Sequence, residues 1–156
     1  MEERPNIFEP DLEADASDPG GYRALCDRIG PQVGARKTGL SVYGLPPGQS
    51  ICPYHFEHGE EEWLIVVSGR PTLRTPEGES ELRPGDVAFF ERGPGGAHKV
   101  TNRTEEEVRV LMFSDVRYPS VSVYPDGDKV GVHLRDRSHN LMVRRESNVD
   151  YYDGEV

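Results

Sequence analysis

The sequence predicts an all-β, antiparallel barrel or sandwich, and two observations carry that expectation. From Gly39 to Ser114 the chain is written in short β-branched and aromatic runs divided by Gly and Pro, with helical periodicity almost absent. Its 156 residues suffice for one domain with a buried core and fall short of two full ones.

The elements follow in order. Residues 1–20 are acidic and broken by Pro5, Pro10, Pro19 and Gly20, which marks an arm rather than core. Tyr22–Ile29 places Leu25 and Ile29 at i, i+4 spacing, the pattern of a short helix. Leu40–Leu45 is a strand closed by Pro46-Pro47-Gly48, and Glu62–Val67 is another closed by Ser68-Gly69. Pro71–Thr75 and Ser80–Arg83 flank Pro76-Glu77-Gly78, a hairpin turn. Val87–Glu91, Lys99–Asn102 and Val108–Ser114 complete the run of strands. Beyond them Val121–Tyr124 reads as a strand and Pro125-Asp126-Gly127-Asp128 as a turn. Val130–Leu134 and Leu141–Arg144 are further strands or an extended excursion packed outside. The two rings of Asp150-Tyr151-Tyr152-Asp153 suggest a docked tail. The expected organisation is an acidic N-terminal arm with a short helix (1–33), a barrel (34–116) and a C-terminal extension packed on it (117–156).

Charge narrows the function classes. Asp and Glu number 28 against 18 Lys and Arg, a formal −10. Residues 1–20 hold seven acids and one base, and residues 146–156 hold four acids and no base, so the 125 residues between carry 17 of each sign. No basic surface is concentrated enough for nucleic acid, and no stretch is both basic and amphipathic as an anionic membrane requires. The apolar run Trp63–Val67 is far too short to span a bilayer. Met1-Glu2-Glu3-Arg4-Pro5 opens no signal-peptide pattern, and Cys26 and Cys52 fit neither a disulfide framework nor a zinc spacing. A soluble, cytoplasmic protein with reduced thiols is expected.

The densest chemistry lies in Pro53–Gly69. Along a strand alternate side chains share a face, so His55 and Glu57 point one way and His58 the other. A short turn and a returning strand that starts at Glu62 bring His55, Glu57 and Glu62 together. Imidazole and carboxylate suit Zn, Mn, Fe or Ni rather than soft thiolate chemistry. A second stretch, Pro84–Asn102, places His98 after the Gly-rich turn Gly93-Pro94-Gly95-Gly96 and at the head of a strand. By residue type alone, Glu60-Glu61-Glu62 also reads as a solvated turn, and each His as a hydrogen-bonded or surface residue.

These two stretches resemble the two motifs of the cupin superfamily. The first is matched by Gly48, His55-x-Glu57, Glu62 and Gly69, and the second by Pro84-Gly85-Asp86, His98 and Asn102. Gly34–Gly48, the Arg74-to-Glu79 turn, Val123-Tyr124-Pro125-Asp126 and the terminal Asp-Tyr-Tyr-Asp-Gly-Glu are similar to small stand-alone bacterial single-domain cupins over roughly residues 34–155. The resemblance implies a double-stranded β-helix, an antiparallel jelly-roll barrel, that holds a divalent transition metal by three His and one Glu. His55, Glu62 and His98 match, and Glu57 stands where the second His is expected. With Glu57 as an oxygen ligand, two imidazoles and two carboxylates leave a divalent site formally neutral rather than +1. Without it, His55, Glu62 and His98 remain as a facial triad.

The resemblance also implies a homodimer paired through its sheets, with the arm placed to cross to a partner although Pro5 and Pro10 limit its pairing. Two function classes stay open. One is a metal-dependent enzyme on a small organic molecule, an oxygenase, isomerase, lyase or decarboxylase. The other is a non-catalytic small-molecule-binding or sensor barrel in which the metal is structural or absent. Glu61 is a second choice to Glu62, and His58 to Glu57. Tyr43, Phe89, Phe90, Met112 and Phe113 are expected in the core, and His133 and His139 at the surface. Nothing marks Cys52 as an activated thiolate.

Overall fold

In a computed structural model, which describes residues 4–155, the chain opens with β1 (Glu13–Ala14), β2 (Leu25–Arg28) and one helical turn, α1 (Ile29–Gln32). Then come β3 (Thr38–Leu45), β4 (Phe56–Glu57), β5 (Glu62–Ser68), β6 (Thr72–Thr75), β7 (Gly78–Glu81), β8 (Val87–Phe90), β9 (Lys99–Thr101) and β10 (Val108–Asp115). β11 (Ser120–Tyr124), β12 (Lys129–His133) and β13 (Leu141–Arg144) follow. The first three residues of the expected arm and the terminal Val156 lie outside the described residues.

The strands form three antiparallel sheets, ordered β1-β2-β3-β10-β5-β8, β13-β12-β11-β4 and β7-β6-β9. Alternation decides what faces in. Leu45, Leu64, Val66, Phe90, Val108 and Val110 of the six-stranded sheet cluster with Leu73 and Val100 of the three-stranded one, and Tyr43 and Met112 pack against them. Gly69 ends β5 with φ +76, and a Cβ there would come within 2.8 Å of the Val108 side chain, so the position requires glycine on two counts.

The same alternation sends the other residues outward. Val42 and Leu111 are covered by Ile29 of α1 and by Ile7 and Leu12 of the arm. Part of the arm lies on its own chain's sheet, with Glu13 and Ala14 paired to Cys26 and Leu25. The rest of that outer face is bare. Phe113, Trp63 and Phe89 sit side by side in register across β10, β5 and β8, each exposed by 40–47%. Phe89 and Phe113, expected inside, face outward because their neighbours Phe90 and Met112 take the inward positions.

Two further expectations change. Leu25–Arg28 is a strand paired with Ser41–Gly44, and the only helical turn of that region begins after it, at Ile29. Two apolar residues at helical spacing carry too little intrinsic preference to outweigh a ladder beside β3. The C-terminal rings are not docked, since Tyr151 and Tyr152 are 86% and 72% exposed and pack edge-on against each other.

Asn102 closes the loop between β9 and β10. It is fully buried, its Nδ2 donates to the carbonyls of Leu45 (2.8 Å) and Glu106 (2.7 Å), and its Oδ1 accepts from the Thr104 amide and hydroxyl. Asn102→Ala strands these groups without solvent and is expected to cost about 2–3 kcal/mol. Urea unfolding checks this, and an unchanged midpoint would contradict it.

Candidate metal centre

The site is assembled where the four-stranded and three-stranded sheets meet. His55 and His98 face each other as an isolated antiparallel bridge, with the His55 amide donating to the His98 carbonyl (3.1 Å) and the His98 amide to the His55 carbonyl (2.8 Å). Both residues are buried. A turn at Pro94–Gly96 delivers His98, and Gly96 has no space for a side chain because a Cβ would run into the Glu91 carbonyl oxygen. Phe90 stacks flat on the His98 ring at 3.6 Å and fixes its plane.

Glu62 heads β5 and points inward, in register with Phe90 and Ser114. The preceding turn is pinned from outside. The Glu61 amide donates to Asp115 (2.7 Å), and the Arg117 amide donates to Glu60 (3.0 Å). Asp115 also accepts from Arg92 and Arg117. Of the two carboxylates, Glu61 is exposed and Glu62 faces the imidazoles.

The expected residues gather, with one distinction among them. One donor atom each from His55, Glu62 and His98 lies within 4.8 Å of the other two. His98 Nε2 stands 3.5 Å from Glu62 Oε2, and His55 Nε2 stands 3.9 Å from it. Glu57 is at their edge, with Oε1 3.8 Å from His55 Nε2 and accepting a 2.5 Å hydrogen bond from Ser122. His58 takes the opposite face and packs edge-on against Phe56.

The donor set fits a metal on its own chemistry. His55 Nδ1 lies 3.1 Å from the Pro53 carbonyl and His98 Nδ1 2.9 Å from the Gly96 carbonyl. A carbonyl only accepts, so each Nδ1 carries the proton and each Nε2 turns its lone pair inward. His98 Nε2 and Glu62 Oε2 are buried without a hydrogen-bond partner, as is Glu57 Oε2. Buried polar atoms are rarely left so, and a cation between them would satisfy them.

The electrostatics point the same way. Burial, and then the neighbouring His55, push His98 down to about 3, and burial lowers His55 as well, so both imidazoles are neutral. Burial, with Glu57 and Glu60 beside it, pushes Glu62 up to about 8. Burial pushes Glu57 up to about 7 against the opposing Ser122 hydrogen bond. The Cys52 thiol, 3.5 Å from His55 Nδ1, is pushed up to about 12 by burial and the two glutamates and stays protonated. The donors line a cavity of about 230 Å³ walled by Tyr43, Ile51, Val100 and Met112.

Sequence reasoning missed one wall. Ser120, Ser122 and Tyr124 alternate along β11 and pair with His133, Gly131 and Lys129 of β12. Ser122 holds Glu57, and the Tyr124 ring lies 5.8 Å from that of His55. His133, expected at the surface with His139, is half-buried on this wall. The period-two run Ser120-x-Ser122-x-Tyr124 is the signal that would have found it.

Residues 41–114 match the cupin domain family. A protein provisionally named a sugar phosphate isomerase from Acidithiobacillus ferrooxidans superposes with TM-score 0.79 at 24% identity, over 91% of this chain and 88% of that one. A sugar phosphate isomerase of the cupin superfamily from Silicibacter pomeroyi gives 0.80 at 22%, over 97% and 98%. A polyketide cyclase from Streptomyces resistomycificus gives 0.61 at 25%, over 77% and 84%. No protein of curated function matches the sequence.

Proton linkage gives a test of the site without metal. Carboxylates raised in the folded state stabilise fully below about 4.5 and lose that contribution as pH rises through about 7 and 8. The lowered imidazoles contribute fully above 6.5 and lose it below. Between pH 6.5 and about 8 only the carboxylates act, so metal-free protein in chelator is expected to lose stability as pH rises. Excess Mn(II) or Zn(II) is expected to remove that loss, because binding strengthens as the ligands deprotonate. Urea midpoints across this range check both, and a flat or rising midpoint in chelator would contradict them.

Proposed function

We propose that this cupin-domain protein is a metal-dependent enzyme acting on a small hydroxylated carbonyl compound, with an isomerase favoured among the classes open to such a site. The observation that carries this reading is the pair of partnerless buried atoms His98 Nε2 and Glu62 Oε2, 3.5 Å apart at one cavity, with a third, Glu57 Oε2, on the carboxylate 3.8 Å from His55. His55, Glu62 and His98 would hold a divalent transition metal through Nε2, an Oε and Nε2. Such an ion supplies Lewis acidity that polarises a substrate carbonyl.

The chain's own residues supply the rest. Glu57 is kept out of the triad by the hydrogen bond its Oε1 accepts from Ser122, which leaves Oε2 without a partner. Burial raises this carboxyl above its ordinary range, which makes it a stronger proton acceptor than an exposed glutamate. In an isomerisation, the carbon beside the carbonyl gives a proton to Glu57 Oε2, which returns it to the former carbonyl carbon. The hydroxyl proton passes between the two substrate oxygens, so the reaction balances without an external oxidant or reductant. Tyr43, Val100 and Met112 give the cavity an apolar wall. The names of the Acidithiobacillus and Silicibacter neighbours agree with this class.

Metal analysis of untagged protein tests the ligand assignment. Wild type is expected to load Mn, Fe, Ni or Zn, His98→Ala to lose about 100-fold in affinity, and Glu57→Gln to stay within about threefold. Wild type that remains metal-free in excess of all four would overturn the reading. For the reaction, loaded wild type in D₂O with a panel of aldoses, ketoses and their phosphate esters is expected to incorporate deuterium beside the carbonyl, and Glu57→Gln is not. Metal binding with no exchange on any compound would move the protein to the non-catalytic binding barrel.

The proposal includes a homodimer that covers Trp63, Phe89 and Phe113, a row of exposed aromatic residues that favours burial. Sedimentation at micromolar concentration is expected to give twice the 17.5 kDa chain mass, and Trp63→Asp to give the monomer. A monomeric wild type would contradict this part alone.

A further inference from the structure

A second, larger cavity of about 630 Å³ borders the metal chamber and shares Ile51 and Cys52 with it. Its chemistry is different. Three phenols, Tyr22, Tyr54 and Tyr124, line it together with Lys129. The Lys129 ammonium lies 5.6 Å from the centre of the Tyr124 ring, and the His55 ring stacks near that same ring at 5.8 Å. Lys99 enters from β9, with Nζ 3.4 Å from the Tyr22 hydroxyl and 5.1 Å from its ring centre. Its charge acts on both Cys52 and Asp126, two residues of the cavity wall.

The charge balance here is unusual for this chain. Among the described residues neither lysine has an ion-pair partner. Asp126, the acid nearest to hand, is already taken by a two-pronged contact from Arg74 at 2.6 and 2.9 Å, and Arg74 in turn lies over the Tyr54 ring at 3.9 Å. Lys129 thus lines the cavity and Lys99 stands beside it on Tyr22, while of the two wall carboxylates Asp126 is held by Arg74 and Asp18 is not. Lysines held over aromatic rings keep their charge but lose part of their water, the condition in which an ammonium gains most from an incoming oxyanion. The phenol hydroxyls add neutral donors and acceptors suited to a hydroxylated chain.

We propose that the outer cavity is an oxyanion subsite in which Lys99 and Lys129 hold the phosphate or carboxylate end of a hydroxylated substrate, whose carbonyl end reaches the chamber of His55, Glu62 and His98. The proposal builds on the function proposed above and adds the substrate's charge and the residues that select it. Phosphate ester and sugar acid share the chemistry, and the test separates them.

Binding of inorganic phosphate, glucose 6-phosphate, gluconate and glucose is measured by NMR and calorimetry on both metal-free and Mn(II)-loaded protein. At least one of glucose 6-phosphate and gluconate is expected to bind at least tenfold tighter than glucose, the stronger of the two identifying the oxyanion, and to weaken as salt rises from about 50 to 200 mM. The double variant K99Q/K129Q is expected to lose about tenfold or more of that affinity while its Mn(II) affinity stays unchanged, and K99R/K129R to restore binding with the same fold by circular dichroism. Glucose bound as tightly as the charged compounds, no binding of any oxyanion to wild type, or equal binding by K99Q/K129Q would each overturn the subsite. Loss of Mn(II) binding with lysine-dependent phosphate binding intact would instead remove the metal reading and leave the subsite standing.

Discussion

Two histidines from different sheets, His55 and His98, are locked amide to carbonyl in both directions, and the rest of the site is arranged around that bridge. A two-way main-chain bridge fixes the separation of two Cα atoms to within a few tenths of an ångström. The Pro53 and Gly96 carbonyls then fix both rings through Nδ1, and Phe90 fixes the plane of His98. Two lone pairs therefore converge before any ligand arrives. Glu62 completes the set from β5, whose pairing with β8 and β10 belongs to the main hydrophobic core. Packing energy gathered across the barrel is in this way expressed as the placement of three donor atoms.

Electrostatics separate the molecule into regions of different purpose. The formal charge of −10 resides in the two ends, and the chain between them is balanced. Inside the barrel two glutamates and two imidazoles are all driven toward their neutral forms by burial. Only a cation can return the carboxylates to charge without cost, which ties the site's protonation to its occupancy. One cavity further out, Lys99 and Lys129 lie over the phenol rings of Tyr22 and Tyr124. A substrate with a polarisable carbonyl at one end and an oxyanion at the other would find a complementary group at each.

How much of this could be read from the sequence depended on distance along the chain. His55, Glu62 and His98 were legible because a strand, a turn and a returning strand give fixed side-chain parity, and Gly69 and the Gly93–Gly96 turn set the frame. Phe89 and Phe113 were expected in the core on hydrophobicity, although adjacent residues of a strand cannot both face in and Phe90 and Met112 take the inward positions. Leu25–Arg28 looked helical because its partner, Ser41–Gly44, lies elsewhere in the sequence. The partner of Glu57 was out of reach for the same reason. Ser122 is 65 residues away, and only the register of β4 on β11 brings them together. The departure from the usual second histidine was visible, whereas its consequence, a carboxylate held beside the triad, needed the fold.

In the proposed site His55, Glu62 and His98 are the ligands of one divalent ion and Glu57 stands beside it. Anomalous diffraction from crystals of the protein grown with Mn(II) or Zn(II) tests it most directly. The account predicts one peak at about 2.0–2.2 Å from His55 Nε2, His98 Nε2 and a Glu62 oxygen, with Glu57 still bonded to Ser122. A peak centred on Glu57, or none at this site in crystals that carry the ion elsewhere, would contradict it.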